Sequence, residues 1–482
     1  MGILRTVKKL NEHNDINQSS VMYDLIDKWK ILYSGGDFED FRIRYHTINR
    51  GTQYRRPSTL AMPKVASSKM ARLIYNEKCE INIDNEQVAK LIDEVFEDNN
   101  FDKNFQDYIE YMFALGTMVI KPYFDGESIK LNFVSADNFV PISWLNGDIR
   151  EAVFPREFKE RDAYYTHLEW HVFEDGVYTV KNELYRSSDS HELGAKVSLS
   201  EVDSLADITP SVPIGLVDKP LFAVFKPNVA NNFDMKSPMG ISLFANALDT
   251  IKAIDRAYDS FEREFRLGKK RILVPSRFIK TVIDPSTNTQ RRYFDAEDET
   301  YEAYASDLSD EAPIKDVSVE LRVEEHIEGI NALLNYFSMQ TGFSFGAFTF
   351  DGKSMKTATE VVSENSETFK SKQSHEVIIE SALKELVDAI ITVAELYDVA
   401  SVSEEFEVSV AFDDSIAEDR QATLNYWTQL VSHGLASRKR VIKHVLKLTD
   451  EEIEEELQLI ADENKVGTPE MIDFYSSDSR RR

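Results

Sequence analysis

The chain is short of several things, and each shortage removes a class of function. It has one cysteine, Cys79, in 482 residues, so it cannot close an internal disulfide or complete a cysteine-type zinc site. The plain reading of Cys79 is a small core residue, and the expected place of synthesis is a reducing cytosol. No window holds the ~18 uninterrupted apolar residues of a membrane span. The basic opening Met1 to Asn11 is not followed by an apolar stretch of signal-peptide length. Neither secretion nor membrane insertion is expected. Positive charge is scarce too: 56 Lys and Arg stand against 84 Asp and Glu, a net charge of −28. A protein that grips DNA by its phosphates needs the opposite balance, because affinity comes from cations that displace condensed counterions. Contact with nucleic acid should therefore be weak unless a local basic patch survives in the fold, and the same charge would also keep an ordinary acidic protein soluble.

What is present is apolar mass. With 42% hydrophobic and 11% aromatic residues, the chain can bury roughly three domain-sized cores. Met22, Leu25, Ile26, Trp29 and Leu32 recur at helical spacing between Ser20 and Tyr33, and Gly35 and Gly36 stop the pattern. Helices are expected over about 59–75, 85–97 and 101–118, which makes the start of the chain a mostly helical block. From about Thr117 to Phe225 the period falls towards two, with runs such as Met118-Val-Ile-Lys-Pro-Tyr-Phe parted by Asp-Gly and Asn-Gly pairs. Those pairs accept the positive φ that tight hairpins need, so a β-rich module is predicted.

After Pro238 and Gly240 a long helix is expected from Ile241 to about Leu267. Phe244, Leu248, Ile251, Ile254, Tyr258, Phe261 and Phe265 form its continuous apolar stripe, suited to a neighbouring helix. Gly268 and the cluster Lys269, Lys270 and Arg271 suit its negative end. A small insert with an acidic tract from Asp295 to Asp316 follows, then a returning helix from about Glu324 to Gly342. A Phe- and Gly-rich loop comes next. A very long helix over about 357–397, a strand at 406–412 and terminal helices complete the chain, which ends in an acidic helix and a tail of disordered composition.

Few constellations offer chemistry. Gly346 to Ser354 ends in Gly352-Lys353-Ser354, as a phosphate-binding loop does, but five residues separate the two glycines. Four are needed for successive N–H groups to wrap a phosphate. A surface loop is the better reading. His167, Glu169 and His171 would share one face of a strand, yet the metalloprotease order of His-Glu-x-x-His on a helix is absent, and a polar sheet face explains them. No nucleophile elbow or dinucleotide fingerprint appears. Catalytic, cofactor and metal residues are accordingly none. The densest basic group, Lys269, Lys270, Arg271, Arg277, Arg291 and Arg292 with Lys280, fits either a docking surface or a solvated helix end. Phe343, Phe345, Phe348 and Phe350 ask for burial in their own core or against another subunit, while Lys353 and Lys356 could reach phosphates.

The order of these elements resembles the tailed-phage portal proteins. Ser237-Pro-Met-Gly240-Ile-Ser242, followed by Asp249, Asp255, Asp259 and Phe261, is similar to the start of the stem helix in portals from siphophages of Gram-positive hosts. Gly268 to Pro275 resembles the passage from stem to clip, and Lys356-Thr-Ala-Thr-Glu360 the start of the helix after the tunnel loop. The resemblance runs from about residue 20 to 460. It implies an α+β, mainly α, portal fold with long stem helices, a β-rich wing, a small α/β clip and a helical crown.

The implied parts are N-terminal helices and wing at 1–237, stem helix at 238–268, clip at 269–323 and returning stem helix at 324–342. The tunnel loop at 343–356, the long wing helix and strand at 357–416, and the crown and tail at 417–482 follow. The resemblance also implies a homo-oligomeric ring, commonly a dodecamer, at one capsid vertex. Double-stranded DNA would pass non-specifically through its channel, past the loop residues Phe343 to Lys356. Terminase and a head-completion or connector protein would dock on the clip residues Lys269 to Arg292, and major capsid or scaffolding protein on the wing. The chain would be made in the host cytoplasm, reside in the virion and need no cofactor. Two other classes stay open from the residues alone: an enzyme of nucleic-acid metabolism with a degenerate phosphate loop, and an acidic scaffolding adaptor.

Overall fold

In the computed structural model of the chain, each Asp-Gly or Asn-Gly pair between residues 117 and 225 reverses a strand. Asn146 and Gly147 have φ of +53° and +84°, and Asp175 and Gly176 +51° and +83°, the two left-handed residues that let a hairpin turn follow the twist of its strands. The Asp125 carboxylate instead caps its own turn, accepting from the Glu127 and Ser128 N–H groups, each at 2.9 Å. The structure describes residues 9–10, 13, 16, 20–47, 50–75, 80–215, 217–268, 272–273, 280–283, 290–293, 315–316, 320–350, 366–400, 406–412, 420–437, 439–441, 453, 457 and 459. They divide into one unit of 1–351 with 370–412 and a second of 352–369 with 413–482.

In the first unit, α1 (Ser20–Tyr33), α2 (Met62–Ile74), α3 (Glu86–Asp98) and α4 (Phe101–Leu115) form the helical block. The Asn85 side chain caps α3 by accepting from Gln87 and Val88 N–H, which satisfies two of the helix's orphan donors. α4 is the hub. Phe105, Ile109, Met112 and Phe113 are fully buried on it, and it packs on α1, α2, β4 (Met118–Phe124) and β5 (Ile129–Ser135).

The block is less helical than its sequence suggests. β1 (Ile43–Thr47) pairs antiparallel with β2 (Gly51–Arg55), and β3 (Glu80–Ile83) pairs with β17 (Val408–Ala411) from the far end of the unit. The expected second helix starts at Met62 rather than Thr59, and the fourth stops at Leu115 because Gly116 takes φ +89°.

The β-rich module is two sheets. β12 (Ala223–Phe225), β4 and β5 make the smaller one. The larger runs β10 (Ala195–Val197), β9 (Val177–Ser187), β8 (Ala163–Glu174), β7 (Asp148–Glu160), β6 (Val140–Leu145), with β11 (Ser211–Gly215) also on β9. All its pairings are antiparallel.

Then come α5 (Leu248–Leu267), the ribbons β13 (Ile272–Leu273) with β16 (Lys315–Asp316) and β14 (Lys280–Ile283) with β15 (Gln290–Tyr293), α6 (Val323–Gln340) and α7 (Ser366–Leu396). On the first unit's part of α7, Leu383, Leu386, Val387 and Ile390 are fully buried. His375 there accepts from the Asn228 N–H at 2.9 Å, and burial drives its pKa down to about 4, so the ring is neutral.

The second unit contains α8 (Arg420–Ser432). It ends at Gly434, φ +70°, where the Leu435 N–H bonds back to the Leu430 carbonyl at 2.8 Å, a closure that satisfies end carbonyls. No helix among the described residues is long and apolar enough to cross a membrane.

Candidate functional site

The hairpin of α5 and α6, with the segment after it, gathers most of the residues singled out by sequence. Its approach is a close backbone contact. A Cβ on Gly116 would lie 2.5 Å from the Gly240 carbonyl oxygen, and one on Gly240 2.2 Å from the Gly116 oxygen. Only glycine fits at either position. The segment then satisfies the end of α4: Leu243 N–H and the Ser242 hydroxyl donate to the Phe113 carbonyl at 2.8 and 3.2 Å, and Gly240 N–H to Thr117 Oγ1 at 3.1 Å. These bonds hold residues 241–244 out of a helix. The regular helix begins at Leu248 after a short 3₁₀ turn at Ala245–Ala247, so the expectation of helix from Ile241 is corrected.

The apolar stripe is likewise shorter than expected. Phe244, Ile251 and Ile254 are buried, Leu248, Tyr258 and Phe261 are half-buried, and Phe265 is exposed. Two aspartates share the buried face. The Asp259 carboxylate accepts both terminal nitrogens of Arg55, at 2.6 and 2.5 Å, and the Ser58 N–H at 3.1 Å. The Arg55 bonds hold its pKa below the usual carboxylate value. This bidentate pair ties the β1–β2 hairpin to α5. Asp255 is buried, and its Oδ1 has no hydrogen-bond partner. Burial raises its pKa to about 6 against the help of Thr59 and the Leu60 backbone.

At the far end of the hairpin, Arg322 clasps Glu264 at 3.1 and 2.9 Å, and the His326 and Phe261 rings lie 5.6 Å apart. The end of α5 thus meets the start of α6, and the two run antiparallel. Inside α6, Ile330, Leu334 and Phe337 face the core, while the Ser338 hydroxyl and that of Thr341 just beyond the helix bond to carbonyls four residues back at 2.9 and 2.8 Å.

The Phe-rich segment divides. Phe343 is buried and Phe348 half-buried, with ring centres 4.9 Å apart. Lys69 of α2 lies 4.9 Å from the Phe348 ring and donates to the Ala347 carbonyl at 2.7 Å. Its burial lowers its pKa. Asn335 and Asn331 of α6 accept the Gly346 and Phe350 N–H groups at 2.8 and 3.3 Å. Residues 343–350 are therefore pinned to two helices. Phe345 and Phe350 point outward, 67% and 64% exposed. Lys353 and Lys356, and the whole Gly352-Lys353-Ser354 motif, lie outside the described residues, as do Lys269, Lys270, Arg271, Arg277 and Cys79. Arg291 and Arg292 sit on β15, in register with Val282 and Thr281 of β14.

His167, Glu169 and His171 do share a face of β8, lining a cleft of about 1160 Å³ between the two sheets. They are committed to protein partners. His171 bonds Tyr178 at 2.8 Å and Glu169 at 2.9 Å, and His167 bonds Asn182 at 3.0 Å. Burial pushes the Glu169 carboxyl up, but the Lys121 ammonium paired with it and the His171 contact outweigh burial and hold it well below the usual range. No cluster of three His, Cys, Asp or Glu among the described residues could hold a metal.

Sequence reasoning missed the Arg55–Asp259 clamp and the Lys69 anchor. The signals were an aspartate on an apolar helix face and a lysine among small residues of α2, and neither names its partner. No curated protein matches the chain. A family model described as "Phage portal protein, SPP1 Gp6-like" matches residues 12–469.

Proposed function

The chain belongs to this phage portal protein family, and from that membership we propose that it forms a ring at one capsid vertex, the channel for DNA packaging and ejection. The match over nearly the whole chain carries the reading. The family is structural and non-enzymatic, and its members are capsid components. In the proposal, α5 and α6 are the stem, residues 343–356 the tunnel loop, 269–323 the clip, 1–237 with 357–416 the wing and 417–482 the crown and tail. The outward Phe345 and Phe350, immediately before Lys353 and Lys356, support a loop that meets DNA. An acidic chain also suits a channel in which DNA slides, since every neutralised phosphate adds affinity that movement must break.

Terminase and then a head-completion protein dock on the clip in this reading. Capsid or scaffolding protein meets the wing, and the phage is a siphophage of a Gram-positive host. ATP hydrolysis belongs to the terminase, so the chain needs no nucleotide site. The test is to assemble procapsids with a portal lacking Phe345 to Phe350 and measure protected DNA. Rings should form while packaged length or retention falls. Full-length, stably held genomes would make this segment a mere connector.

A further inference from the structure

The charges on the α5–α6 hairpin are sorted by side. On one side, where the β1–β2 hairpin lies against α5, is a groove of about 700 Å³ lined by five arginines and only two carboxylates, Asp259 and Glu264, in a chain with net charge −28. Both carboxylates are already taken, by Arg55 and Arg322. Arg44, Arg256 and Arg263 also line the groove, and among the described residues none of the three makes an ion pair.

The other side of α6 is acidic. His326 and Arg322, one turn apart, face the groove. At about 100° per residue, Glu324 and Glu328 lie roughly half a turn round the helix from His326. Both are exposed, as is Glu325. Glu324 and Glu328 are also four residues apart, where like charges repel unless a cation covers them. The α5–α6 hairpin thus borders, on one side, a groove with three arginines unpaired among the described residues and carries an acidic edge on the other. A surface of that kind is complementary to a copy of itself in a head-to-tail contact, the arrangement that closes rings.

We propose that the arginine groove on α5 of one subunit receives the glutamate edge of α6 from the next. The inference rests on the ring reading above and adds the contact that sets which faces meet. Opposite charges at such a contact fix register and reject wrong pairings.

The experiment is a charge swap in the full chain, read by mass photometry and negative-stain microscopy. Arg256→Glu with Arg263→Glu should lower ring assembly at least about tenfold at equal concentration, because like charges then face each other. Glu324→Lys with Glu328→Lys should do the same. The four changes together should restore rings, which a merely misfolded variant would not do. Circular dichroism unchanged in each variant is the accompanying expectation, since Arg256, Glu324 and Glu328 are exposed and Arg263 is half-buried. If either double variant forms rings like the parent, or the four-fold swap rescues nothing, the docking inference is wrong and the ring reading stands. If the doubles assemble normally but bind DNA more weakly in a filter assay, the groove serves phosphates and the inference is overturned. A parent chain that forms no ring under any condition would remove the ring reading itself.

Discussion

The cleft between the two sheets and the α5–α6 hairpin treat charge in opposite ways. In the cleft, Glu169 is matched by Lys121 and His171, and His171 by Tyr178, whose hydroxyl in turn accepts the Leu221 N–H at 3.0 Å. That network closes on itself within one chain. In the hairpin, Asp259 is matched but Asp255 keeps an oxygen without a partner, and three groove arginines go without ion pairs among the described residues. The sheets settle these charges within the chain, whereas Arg44 and Arg256 are exposed and Arg263 half-buried, charges left open to a partner. The contrast sets a charge network satisfied within the chain beside a charge set on α5 that the chain leaves uncompensated, and the proposed docking uses the second.

The largest effect should come from breaking the closed network. Lys121→Ala leaves the half-buried Glu169 carboxylate with His171 as its remaining partner, and should cost about 2–3 kcal/mol, seen as a lower melting temperature. Pairing Lys121→Met with Glu169→Gln should recover much of the loss, because both charges then go. A melting temperature unmoved by Lys121→Ala would mean that water, and not the lysine, matches Glu169.

Asp255 on α5 should respond with the opposite sign. Asp255 titrates near 6 in the folded chain against an ordinary 3.8, so its contribution is fully present below about pH 4 and is lost as pH rises through 6. Asp255→Asn should therefore stabilise the chain by roughly 1–3 kcal/mol at pH 7.5, with the gain shrinking to nothing near pH 4. Melting curves at the two pH values give the comparison. A variant less stable than the parent at pH 7.5 would show that the carboxylate has a partner the stem does not display.

The smallest effect belongs to the outward rings. Phe345→Ser should change the melting temperature of the isolated chain by the equivalent of about 0.5 kcal/mol or less, as is usual at exposed sites. Phe348→Ala should cost about 1–2 kcal/mol by removing a half-buried ring packed on Phe343 and Lys69. Equal losses at both positions would erase the division of the segment into a pinned and a presented half.

Much of this contrast was open to sequence reading. The Asp-Gly and Asn-Gly pairs located the hairpins of the two sheets because positive φ is a local property of two residues. α1 and α3 were legible through their apolar spacing, which is also a local property. Long-range partners were not. β3 finds β17 more than three hundred residues away, and Arg55 finds Asp259 across 204 positions; no local pattern encodes either. The β1–β2 hairpin escaped notice because none of its strand residues is fully buried, which leaves no apolar alternation to read. The stem helix was drawn seven residues too long, since its apolar spacing continues through 241–247 while hydrogen bonds to α4 hold that stretch out of the helix. The four phenylalanines read alike in sequence, and only the positions of Asn331, Asn335 and Lys69 separate those that pack from those that point outward.

The central claim is that the chain becomes a ring. Negative-stain electron microscopy of the purified full-length protein, over a range of concentrations and salt, tests it most directly. The expected result is a population of closed rings with a central opening, weakening at high ionic strength as the groove charges are screened. Monomers alone under every condition would contradict the account.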